Sequence, residues 1–130
     1  MRRLALALLL CAACGGTTTS TGSDGCTAPA QPGMFPFHAT QLTRDPLNDA
    51  LCGALPTAFD GTITVKANGA GGSGTENGVP FNATPISTCQ LMWAEASSPA
   101  TEHVYEFLPG RRYLWIVTLG RCAALYQLAP

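Results

Sequence analysis

Glu102-His103-Val104-Tyr105-Glu106-Phe107-Leu108, Arg112-Tyr113-Leu114-Trp115-Ile116-Val117-Thr118-Leu119 and Cys122-Ala123-Ala124-Leu125-Tyr126-Gln127-Leu128 decide the fold. They are β-branched and aromatic runs separated by short turn sequences, the pattern of an antiparallel β-meander. Gly120-Arg121 suits a two-residue type II′ turn that closes Leu119 against Cys122. Leu108-Pro109-Gly110-Arg111 is also a turn. L-Pro-Gly favours type II, whose twist opposes that of a two-residue hairpin, so a four-residue loop is expected there. With those turns, one face carries Val104, Tyr113, Trp115, Val117, Ala124, Tyr126 and Leu128. The other carries Tyr105, Phe107, Leu114, Ile116, Ala123 and Leu125.

Both faces are apolar, whereas a sheet with one wet side alternates apolar with polar. The meander is therefore expected to be covered on both sides, in a small antiparallel β-sandwich or barrel. Otherwise one side is a binding surface, with Tyr113, Trp115 and Tyr126 as a ligand face able to stack a sugar or a hydrophobic partner.

Upstream, Thr62 to Ala67 alternates with Ile63, Val65 and Ala67 on one side, and Ile86 to Ala96 places Cys89, Leu91 and Trp93 together. Asp45-Pro46 reads as an N-cap followed by the first residue of a short helix over 46–52, with Gly53 at its end. The Gly-rich stretch Asn68 to Gly78 is expected to be a flexible loop. Gly69-Ala70-Gly71-Gly72-Ser73-Gly74 spells a dinucleotide-type GxGxxG. That motif needs a following helix to hold a pyrophosphate, and Thr75 to Pro85 carries two prolines and an Asn-Gly instead.

The N-terminus carries an address. Met1-Arg2-Arg3 precedes an apolar run from Leu4 to Ala13 that is too short to span a bilayer. Ala12-Ala13-Cys14-Gly15 follows. This segment resembles a bacterial lipoprotein signal: an aliphatic residue, two small residues, then cysteine. It departs from that pattern at Cys11, where Leu is usual. The resemblance implies cleavage after Ala13 and lipid attachment to Cys14. Gly15, in place of Asp, favours the outer over the inner membrane. Parity agrees with the resemblance. Removing 1–13 discards Cys11, and lipidating Cys14 leaves Cys26, Cys52, Cys89 and Cys122, enough for two disulfides in an oxidising compartment. Three pairings are open. Cys26–Cys52 with Cys89–Cys122 closes the shortest loops and has a slight entropic preference.

The chain then divides into a signal peptide over 1–13, a lipidated Thr/Ser/Gly tether over 14–25 and one domain over 26–130. Loss of Arg2 and Arg3 leaves five basic residues against eight acidic, a net charge near −3. With one lysine, the chain has no footprint for nucleic acid.

Chemistry-bearing motifs are sparse. There are two histidines. His103 and Glu106 spell HxxE, but i and i+3 point to opposite faces of a strand. Glu102 and Glu106 share a face about 13 Å apart, beyond the span of an inverting carboxylate pair. His38, in Phe35-Pro36-Phe37-His38, reads as packed or surface-exposed. The expected protein is a non-catalytic, lipid-anchored envelope module without metal or cofactor, which meets the membrane through its lipid and otherwise binds a protein or glycan. The alternatives are an inhibitor or ligand-binding module acting through a protruding 68–78 loop or the Trp115 face, and a small hydrolase. The hydrolase requires at least two of Asp60, His103 and Glu106 to converge in a cleft.

Overall fold

The computed structural model describes residues 26, 28–44, 55–96, 100–118 and 122–130. The signal segment, Cys14, the tether, the expected helix over 46–52, Cys52 and the Gly120-Arg121 turn lie outside them.

The described chain is a closed antiparallel barrel of eight strands in sequence order: β1 (Gly33–Arg44), β2 (Ala58–Val65), β3 (Gly72–Glu76), β4 (Val79–Ser87), β5 (Gln90–Glu95), β6 (Thr101–Leu108), β7 (Arg111–Thr118) and β8 (Cys122–Ala129). β8 pairs back onto β1, with Ala39 opposite Leu128. Closure leaves no sheet edge and covers the inner face of the meander; the outer face is partly exposed, so the expectation that both faces are buried holds for the inner one alone among the described residues.

The inward residues of every strand fill the interior. Phe37, Phe59, Ile63, Phe81, Leu91, Tyr105, Leu114, Ile116 and Tyr126 are all buried. At about 1.5–3 kcal/mol for each large apolar side chain removed from water, this row dominates the folding drive. Seven rings run through it in contact. Tyr126 meets Phe59 at 5.2 Å and Phe59 meets Phe37 at 6.4 Å. Phe37 meets Tyr105 at 5.9 Å, and Tyr105 stacks on Phe81 at 5.3 Å. Phe81 stacks on Trp93 at 5.4 Å, and Trp93 on His103 at 3.8 Å.

Glycines on β2 and β3 permit two close approaches, one to a ring and one to backbone. A Cβ on Gly61 would collide with the Phe37 ring, and one on Gly74 with the Thr62 carbonyl. The Gly-rich stretch is therefore not the expected loop. Gly72–Glu76 is a strand whose glycines face the crowded interior, and no helix follows it. Asn77 and Gly78 both have positive φ, 49° and 81°, and join Glu76 to Val79 in a tight two-residue hairpin.

Three further expectations change. Leu108 pairs with Arg111, so Pro109-Gly110 is a two-residue loop rather than a four-residue one. Its Gly110 takes φ 71°, the conformation L-residues avoid. Thr118, not Leu119, pairs with Cys122. That single-residue difference reverses how β8 faces sit against those of β7. Finally, Cys26 bridges Cys89, which overturns the neighbour pairing of Cys26 with Cys52 and Cys89 with Cys122. Cys122 carries a disulfide of its own. The entropic preference for short loops is a fraction of a kcal/mol, too small to resist the barrel geometry that seats Cys26 beside the β4–β5 turn.

Candidate functional site

The register decides which of the proposed face residues meet. Tyr113 and Trp115 point outward from β7, on either side of buried Leu114. Tyr126 does not join them. It pairs with Leu114 and is fully buried. Its hydroxyl donates to the Pro56 carbonyl at 2.7 Å and accepts from Gln41 Nε2 at 3.3 Å. Burial raises its pKa. The reason is the one-residue change at the β7–β8 turn, which exchanges Tyr126 for Leu125 on the outer face.

The outer wall so formed is apolar across four strands. Met92 on β5 pairs with Val104, Val104 with Trp115, and Trp115 with Leu125 on β8. Neighbouring strands are about 4.8 Å apart, so this row is roughly 14 Å wide. Val117 and Ala123 extend it in one direction and Tyr113 in the other. Glu102 and Glu106 flank Val104 on the same outer face, and Glu106 accepts from Gln90 Nε2 at 2.7 Å. Trp115 is 39% exposed at the centre. An aromatic anchor in an apolar row with carboxylates and amides at its margin has the layout of a protein-contact patch.

A second assembly lies inside the barrel, at the end formed by the β3–β4 hairpin. Glu76 on β3 is 5% exposed and His103 on β6 is 6% exposed. His103 Nδ1 lies 2.6 Å from a Glu76 oxygen, an ion-pair distance, although the approach is off the line of a hydrogen bond. His103 Nε2 lies 3.2 Å from a Glu95 oxygen. Tyr105 donates its hydroxyl to the other Glu76 oxygen at 3.0 Å. Burial, with the Glu76 charge beside it, pushes the Tyr105 phenol well above the ordinary tyrosine range. A cavity of about 150 Å³ opens beside Glu76, His103, Trp93 and Glu95. Sequence reading missed Glu76 here. The signal was Asn77-Gly78, the strongest short hairpin marker. It turns 72–76 into a strand and so aims Glu76 inward.

The residues offered for hydrolysis do not converge. Asp60 is outside on β2, paired with His38 at 2.7 Å, with both side chains more than half exposed. His103 is inside, and Glu106 is on the outer wall. The HxxE pair is split across the sheet, as its spacing requires. Among the described residues, no group of three His, Cys, Asp or Glu is placed to hold a metal ion. The segment proposed as a protruding inhibitory loop, 68–78, contains β3 and the tight Asn77-Gly78 turn.

No protein-family model, curated protein or solved structure matches this chain.

Proposed function

We propose that the chain is a non-catalytic binding module, held at the bacterial envelope by a lipid on Cys14, with the outer wall of β5–β8 engaging a protein partner. The exposed Trp115 at the centre of the Met92–Val104–Trp115–Leu125 row carries this reading. Two further observations support it. The buried Glu76 carboxyl is already engaged: one oxygen lies against His103 and the other accepts from Tyr105. The aromatic platform is also smaller than expected, because Tyr126 is inside. One tryptophan among aliphatic side chains suits an apolar protein surface.

Two measurements test the reading separately. Mass spectrometry of the mature protein is expected to show an acylated N-terminal Cys14. An unmodified Cys14 contradicts the anchor without touching the binding face. A partner recovered with the native chain is expected to be lost from Trp115→Ser and retained by Thr64→Ser on the opposite wall. Equal recovery by both variants contradicts the face.

A further inference from the structure

The barrel end opposite the Glu76–His103 cluster is open. A recess of about 460 Å³ lies between the β6–β7 turn, the segment 28–31 and the last residues of β8. That volume is within the range of small-molecule sites, about 300–1,000 Å³. Its floor is apolar: Ala30, Phe35, Phe107 and Leu128. Its rim carries Arg111 and Arg112. The Arg112 guanidinium lies 4.3 Å over the Phe35 ring. Neither arginine pairs with a carboxylate among the described residues. On a chain with more acidic than basic residues, two successive arginines at the mouth of an apolar recess, neither matched by a carboxylate, are a specific local charge.

The recess is also braced. The Cys26–Cys89 disulfide ties the entering segment to the β4–β5 turn. Farther along, Pro29 packs so closely on Gly69 that a Cβ there would lie 3.1 Å from the proline ring. Ala30 is then buried against the core. The wall is therefore set before any ligand arrives, which lowers the ordering cost of binding.

We propose that this recess binds a free monocarboxylate with an apolar body, its chain on Phe35, Phe107 and Leu128 and its carboxylate between Arg111 and Arg112. Guanidinium forks match carboxylate geometry, and the aromatic floor accepts a hydrocarbon chain. The site does not depend on the outer-wall reading, since the two surfaces share no residue named here.

Titration of the full chain, disulfides intact, with octanoate, octanol and octylamine tests it by calorimetry and by NMR shifts of Phe35 and Phe107. Octanoate is expected to bind with a dissociation constant of about 1 mM or tighter and to weaken as salt rises. Arg111→Ala and Arg112→Gln are each expected to weaken it roughly tenfold. If Arg112→Gln lowers the melting temperature, the exposed Arg111→Ala must still show the loss. Octanol or octylamine binding as tightly as octanoate overturns the proposal. So does a response of the same resonances to phosphatidylglycerol vesicles but not to octanoate, which would assign the arginines to a lipid headgroup.

Discussion

The two halves of the barrel solve one packing problem with opposite materials. β5–β8 are apolar inside and out: Leu91, Tyr105, Leu114 and Tyr126 face the core, while Met92, Val104, Trp115 and Leu125 face outward. β1–β4 are apolar only inside. Their outer wall carries Thr62, Thr64, Ser73, Thr75, Asn82 and Thr84, with Thr62 and Thr75 joined at 3.2 Å. The large exposed apolar residues on that side, Met34, Leu42, Val79 and Ile86, stand singly near strand ends. Folding accounts for the inner row of both halves. It does not require the outer row of β5–β8, since β2–β4 close the same barrel with a polar exterior. That excess of apolar surface is the observation on which the proposed partner rests.

The halves meet at Glu76, and the largest expected effect is there. His103→Leu takes the imidazole away from the buried Glu76 carboxylate, so urea unfolding is expected to show a loss of about 3 kcal/mol. A loss under about 1 kcal/mol would mean that the two halves are not joined through this pair. Gly74→Ala drives a methyl into the Thr62 carbonyl, and about 1–3 kcal/mol of destabilisation is expected. Wild-type stability in that variant would show that the glycine half is not tightly packed.

Tyr105→Phe removes the hydroxyl that Glu76 accepts, at a cost of about 1–3 kcal/mol at neutral pH. The same residue makes an alkaline prediction. Burial raises its folded pKa above the unfolded value near 10. Above pH 10 the unfolded chain has lost the phenolic proton that the folded chain keeps. Stability should therefore be unaffected by this group below pH 10 and fall by about 1.4 kcal/mol per pH unit above it. Tyr126 adds in the same sense. Tyr105→Phe should make the fall shallower between pH 10 and 11.5, and an unchanged slope would place the titration elsewhere. Trp115→Ser should be the mildest for folding, within about 1 kcal/mol of wild type.

The same division explains what could be read from the sequence. β6, β7 and β8 were legible because β-branched and aromatic residues alternate without interruption between short turns. β5 was legible through Leu91 and Trp93, although its run was joined to β4 across the 88–89 turn. β1 was hidden by Pro36 inside Phe35–Ala39. Proline is tolerated there because pairing with β8 begins only at His38, so one side of the strand is still free. β3 was hidden because its glycines face inward, where an apolar side chain is normally the sign of a strand. Its role follows only from the close approach of the Thr62 and Thr64 carbonyls of β2, which no local pattern reports. Tyr113 and Trp115 were legible as a pair because they share one strand. Tyr126 was misplaced because its side depended on one residue of turn length. Glu76 and His103 are separated by 27 positions, and only barrel closure brings them together.

Photo-crosslinking in cells that make the full chain tests the central claim most directly. A crosslinking residue placed at Trp115 is expected to give one discrete adduct, while the same residue at Thr64 on the polar wall gives none. Equal labelling at both positions, or an adduct at Thr64 alone, would contradict the assignment of the β5–β8 exterior as the working face.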